Sequence, residues 1–235
     1  EGFENKLAEL FARDLGKPVS YTWWAQRRGF IRHTLKAESC DVVMGVPLHY
    51  ELVATTRPYY RSGYVFVSRT DRHLDVTSIT DPRLKSLRIG VQLVGADGFN
   101  TPPAQALAEE GIVGNVVGYT VYGDYREPNP PARIITAVET GEVDIAAVWG
   151  PLAGYFSRRS PVPLTLAPVT GTERFAPLAF QFDIAVGVRK GDVERREELD
   201  RIISRRQAEI ARILADYGVP EVRGAGSGDR LDGLK

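Results

Sequence analysis

Hydrophobic positions along this chain fall into two rhythms. Between residues 4 and 15, Leu7, Ala8, Leu10, Phe11 and Leu15 recur at helical spacing, and Gly16 with Pro18 ends the run. The stretch "VSYTWWA" (19–25) then reads as a strand rich in aromatic and hydroxyl residues. In "GFIRHTLKA" (29–37) Phe30, Ile31 and Leu35 share one side of a short helix, and "CDVVMGV" (40–46) reads as a buried strand. Helix, strand, helix, strand in that order predicts an α/β unit built on a parallel sheet.

A second block of the same kind spans 88–150. "LRIGVQL" is a buried strand, and "NTPPAQALAEEG" is a helix with Thr101 as N-cap, Pro102 in its first position and Gly111 behind it. "GYTVYGDY" reads as a strand, and "NPPARIITAVETG" repeats the start logic with Asn129 as the cap. "VDIAAVW" is a further buried strand. Between the blocks lies the long strand "RPYYRSGYVFVSR", and "FQFDIAVGVRKGD" brings a strand back late in the chain. Residues 192–217 read as one long helix whose stripe is Leu199, Ile202, Ile203, Ile210, Ile213, Leu214 and Tyr217. The polar, Gly-rich tail from Arg223 is expected to be loosely ordered.

Composition narrows the function. At 235 residues, 43% hydrophobic and 26% charged, the chain has the make-up of a globular protein. Thirty basic and thirty acidic residues leave no net charge, which argues against nucleic acid as a partner. The longest nearly apolar stretch, "IAAVWGPLAGYF", is too short to cross a bilayer. No HExxH, CxxC, GxxxxGK[ST] or GxSxG pattern occurs, and His33, His49 and His73 lack metal-ligand spacing. Cys40 opens a buried strand and reads as an inert thiol. Asp41 and Asp144, each at a strand start, read as structural hydrogen-bonding groups. No catalytic residue, metal or cofactor is expected, and an enzymatic function is disfavoured.

The string "CDVVMGVPLHYELVATTRPYYRSGYVFVSR" resembles the first lobe of type II periplasmic solute-binding proteins. "LKSLRIGVQLVG" and "VETGEVDIAAVWGPLAGYF" resemble the entry and exit of their second lobe, and "DIAVGVRKGD" their return. More narrowly, "TWWAQRRGFIRHTL", "GVQLVGADGFNTPPAQALAEEGI", "VVGYTVYGDYREPNPPARI" and "VDIAAVWGPLAGYF" resemble the MxaJ/XoxJ group, encoded beside PQQ-dependent methanol dehydrogenases. The resemblance covers residues 1 to about 220. It implies a two-lobed α/β fold with a sheet in each lobe and two crossing strands. Lobe one would be 1–64 and 186–235, and lobe two 65–185. It also implies a periplasmic location, a methanol dehydrogenase as partner, with its cytochrome c as a second candidate, and help in maturing or activating that enzyme. The alternative is the receptor of an ABC transporter for a small ligand other than an amino acid. The first strand of lobe one, which in this group carries a cysteine able to pair with Cys40, is absent from the sequence.

Two departures from amino-acid receptors stand out. His49 lies nearest the place of the arginine that grips a ligand carboxylate, and Trp149 replaces the aspartate that meets the ammonium. An amino acid would lose both charged partners. Two readings remain open for Trp23 and Trp24: sheet core, or the wall of a cleft at the carboxyl ends of strands. Core burial is the ordinary outcome for such residues; the aromatic set as a whole is nevertheless assigned to an apolar cleft between the lobes. The expected ligand or partner cleft then comprises Trp23, Trp24, Arg27, Arg28, Arg57, Tyr59, Tyr60, Asn100, Thr101 and Trp149, with Arg27 and Arg28 either in local salt bridges or on a protein-facing rim.

Overall fold

The computed structural model describes residues 2–24, 29–94, 99–121, 129–220 and 222. The chain runs through α1 (Phe3–Asp14), α2 (Phe30–His33), β1 (Val42–Pro47), β2 (Ala54–Thr55) and β3 (Tyr60–Arg69). β4 (Ile89–Val94), β5 (Phe99–Asn100), α3 (Pro102–Glu109), β6 (Val116–Thr120), α4 (Arg133–Thr140) and β7 (Ile145–Trp149) follow. α5 (Gly150–Ser157), β8 (Leu164–Pro168), β9 (Gln181–Val188), α6 (Val193–Arg205) and α7 (Gln207–Asp216) complete the order.

β3 is shared between two groups of strands. Its first residues, Tyr60–Gly63, pair antiparallel with β9, which also carries β1 and β2. From Tyr64 onward it pairs antiparallel with β7, and from Val65 with β8 on the other side. β4 then lies between β7 and β6, parallel to both. The period-two pattern of β3 decides what packs where. Val65 and Val67 meet Ile134, Ile135 and Val138 of α4. Phe66 points the other way, toward Leu107 of α3 and Leu84. Phe66 is 1% exposed, and burial of such a ring contributes about 2–3 kcal/mol. At the first group, α1, α6 and α7 cover one face through Leu7, Phe11, Ile202, Ile203 and Leu214. α2 covers the other, with Ile31 and Leu35 against Val43 and Val46.

The helices of the middle block form where its punctuation predicts, but Asn129 caps none with its side chain, and neither does Thr101. Its buried hydroxyl donates to the Gln92 carbonyl instead, at 2.7 Å. Asn129 takes a left-handed φ of 50° ahead of a 3-10 turn that leads into α4. The aspartates do what their positions suggest. Asp144 accepts from Arg88 N at 2.8 Å and from the Arg72 guanidinium at 3.1 Å, and Asp41 pairs with Arg189 at 3.1 Å.

Three local expectations fail. Residues 18–24 form no strand. They find no neighbouring strand among the described residues, only hydrogen bonds from the Tyr21 hydroxyl to Asn5 O and from the Thr22 hydroxyl to Ser39 O. The first group of strands is consequently antiparallel, since β1 pairs with β9, which arrives from late in the chain. The long C-terminal helix is broken at Arg206 (φ −106°, ψ 14°), although the apolar stripe continues across the break.

Candidate functional site

A cavity of about 800 Å³ opens where the two groups of strands meet, a size suited to a small ligand. Phe3 and Glu4 of α1, Gly45 of β1, Tyr60 of β3, and Phe182 and Ile184 of β9 form one side of its lining. Tyr64, Trp149, and Leu152, Tyr155 and Phe156 of α5 contribute from the second group, with Tyr217 at the end of α7. The rings touch in two chains. Tyr60 meets Phe3 edge-on at 5.6 Å, Phe3 meets Tyr217 at 6.3 Å, and Tyr217 stacks on Tyr155 at 5.9 Å and 16°. Trp149 lies between Tyr64 at 5.6 Å and Phe182 at 5.9 Å.

Trp149 reaches this position because β7 ends there. Its backbone N–H donates to Gln92 Oε1 at 2.7 Å. Gln92 is a buried polar side chain inside β4, and its own carbonyl takes the Thr101 hydroxyl. A buried amide with its partners fixed holds the end of β7 in one register.

Among the described lining residues, the carboxyl group is that of Glu4. Its Oε1 accepts from the Tyr59 hydroxyl at 3.1 Å, and that hydroxyl accepts from Gly45 N–H at 3.0 Å. Gly45 has φ +73°, and a Cβ there would lie 2.5 Å from Glu4 Oε1, so the carboxyl sits where only glycine leaves room. Burial pushes the Glu4 carboxyl above the ordinary carboxylate range, while the Tyr59 hydrogen bond opposes the shift. Burial likewise raises the phenols of Tyr59, Tyr60 and Tyr64, and the Glu4 charge adds to the first two.

Of the residues expected in the cleft, Tyr60 and Trp149 line the cavity. Tyr59 is buried beneath it and acts through Glu4. Trp23 and Trp24 are neither core nor cavity: they are 79% and 53% exposed, because the strand meant to hold them does not form. Trp23 stacks on Tyr21 at 5.5 Å, and Trp24 on His33 at 5.5 Å. Arg57 lies away from the cavity on α6, its N–H donating to Asp200 Oδ1 at 2.6 Å and its guanidinium to the Ser204 hydroxyl. Asn100 is exposed on β5, and Thr101 is buried behind Gln92. Arg27 and Arg28 lie outside the described residues. His49 occupies an exposed turn at φ 64° and is not part of the lining. Cys40 is half-buried just before β1, and burial pushes its thiol up.

Sequence reasoning missed Glu4 and Gln92. Both left a signal. Glu4 shares the helical face of Leu7 and Phe11, and Gln92 is the lone polar residue in the run "IGVQLV". Among the described residues, no three of His, Cys, Asp and Glu come together as a metal site, and no helix is long and apolar enough to cross a membrane.

No family model matches the chain. It is similar to Protein MoxJ of Methylorubrum extorquens, with 33% identity over 231 residues, 93% of this chain and 75% of that protein. Protein MoxJ of Paracoccus denitrificans is 29% identical over 237 residues, 93% of this chain and 82% of its own. The crystal structure of periplasmic binding protein XoxJ from Methylobacterium extorquens superposes with a TM-score of 0.75 at 31% identity, covering 94% of this chain and 90% of that one. That of MxaJ from Methlophaga aminisulfidivorans gives 0.78 at 27% identity, covering 94% and 93%. An ancestral cationic amino acid solute-binding protein, 21% identical with a TM-score of 0.69, shares the type II binding-protein fold and covers 92% and 85%. The chain belongs to the MoxJ/MxaJ/XoxJ family of periplasmic binding-protein-like proteins.

Proposed function

We propose that the protein is a periplasmic accessory of methanol oxidation that binds a PQQ-dependent methanol dehydrogenase and helps it mature or become active. Family membership supports the setting, and one observation carries the binding reading. Tyr21, Trp23 and Trp24 are 42%, 79% and 53% exposed within four residues of each other. A lone apolar side chain on a surface is ordinary, but a cluster of large aromatics is the composition of a protein interface. The expected docking place thereby moves from the cleft to the outer face of the 21–24 segment. A cytochrome c that serves the dehydrogenase is the second candidate partner. The role is one of binding, not catalysis.

The lobes proposed for this fold divide at Tyr64 and before Gln181. The second boundary moves there from 186 because all of β9 pairs within the first group of strands. The small-ligand size of the cavity favours a second reading, the receptor of a transporter.

The test is a Trp23→Ala, Trp24→Ala double variant, with affinity for the organism's own dehydrogenase measured by biolayer interferometry. The reading expects binding at least about tenfold weaker with an unchanged melting temperature, since both rings are exposed. Unaltered affinity rejects the outer face.

A further inference from the structure

The cavity described above has a chemical character that a protein-docking role leaves unused. Among the described lining residues there is one carboxylate, Glu4, and no arginine, lysine or histidine. Phe3, Tyr60 and Tyr217 lie in a contact chain beside it, with Tyr155 stacked behind Tyr217. One Glu4 oxygen is engaged by Tyr59, and the other takes no hydrogen bond from any described residue. A carboxyl drawn out of water, half satisfied, in a cavity lined by aromatic rings is a poor host for anions. It is a good one for a cation with apolar substituents.

We infer that this cavity is a binding site for an organic cation that lacks a carboxylate: an alkyl- or methyl-substituted ammonium seated at Glu4 against the Phe3, Tyr60 and Tyr217 rings. The charge restores what the carboxyl lost on leaving water, and the substituents bury against the rings. A zwitterion is disfavoured by the same lining, since its carboxylate would find no basic partner among the described lining residues. Gly45 contributes by keeping open the space into which the carboxyl fits, and Tyr59 by fixing the carboxyl's orientation. The inference is independent of the dehydrogenase reading. Trp23 and Trp24 lie outside the lining, so either proposal can fail alone.

The experiment is calorimetric titration of the whole chain with choline, tetramethylammonium and 3,3-dimethylbutan-1-ol, the neutral isostere of choline. The expected result is measurable binding of both cations, with the alcohol at least about tenfold weaker, a difference worth about 1.4 kcal/mol. Glu4→Gln keeps an acceptor for Tyr59 and should weaken choline at least about tenfold while leaving the alcohol unchanged. Tyr217→Leu, which keeps apolar bulk and removes the ring, should also weaken choline more than the alcohol. A blocked lysine, N-acetyl-lysine methylamide, separates two sources of the same chemistry. Tighter binding than choline supports the cation site and assigns it to a partner's lysine, while weaker binding supports it and assigns a free ammonium. Equal affinity for choline and its neutral isostere overturns the inference, as does an absence of binding by every cation up to about 10 mM.

Discussion

Replacing Asp14 by asparagine removes the charge that holds the end of α1 against the bend between α6 and α7. The carboxyl is 6% exposed and accepts three hydrogen bonds: from Arg205 at 3.0 Å, and from Arg206 at 2.9 and 2.7 Å. The Arg206 hydrogen bonds, foremost, and those of Arg205 hold it at about 2, below its ordinary 3.8. At 1.36 kcal/mol per pH unit that drop corresponds to about 2.4 kcal/mol. Arg205 and Arg206 are 61% and 41% exposed, so solvent screening reduces the net contribution to about 1–1.5 kcal/mol. The folded carboxyl is the more acidic one. Its contribution is therefore complete well above pH 3.8 and is lost as the pH falls through about 2. Urea denaturation at pH 7 should find Asp14→Asn less stable by about 1–1.5 kcal/mol, equivalent to a few degrees in melting temperature. At pH 3 about half of that gap should be gone. A gap that is the same at both pH values would refute the electrostatic account and point to packing.

Gly154→Ala places a methyl against the Gly218 carbonyl, where α5 meets the end of α7, and should cost about 1–3 kcal/mol of stability. The same displacement should disturb the Tyr155–Tyr217 stack and weaken any cavity ligand. An unchanged melting curve would show that the junction yields. Free amino acids should not bind tightly, because the described lining contains no basic residue for their carboxylate. Micromolar binding of any standard amino acid in a calorimetric panel would contradict that.

The middle of the fold was legible because its signals are local. Pro102 and Pro130 start helical turns, Gly111 and Gly141 end helices at φ of 71° and 75°, and β4 and β7 are apolar runs buried on both faces. Residues 18–24 show the opposite case. Alternating aromatic and hydroxyl residues fit a strand, yet a strand also needs a neighbour, and no local pattern supplies one. β8 was hidden by Pro161, Pro163 and Pro168. It forms on β3 alone, where such residues are tolerated. The break at Arg206 was invisible because the stripe runs through it, and the contact to Asp14 joins residues 192 positions apart. At the cavity, Trp149 followed from the rule that strand ends meet ligands. Glu4 did not, since a first-turn acid in a helix is usually solvated, and only the tertiary contact to Tyr59 and Gly45 turns it inward.

Tyr64 is the residue at which β3 exchanges one neighbour for another. Its N–H donates to Phe180 O at 3.0 Å, and its carbonyl accepts from Val169 N at 3.1 Å, one residue beyond β8. The same residue sends its ring against Trp149. Any rotation of one strand group against the other therefore turns the surroundings of an indole. The other two tryptophans stand in water at 79% and 53% exposure, so their emission should lie to the red of that of the partly buried Trp149. The chain thus carries its own optical protractor, in which the blue edge of its fluorescence reads the angle between its halves without any added label.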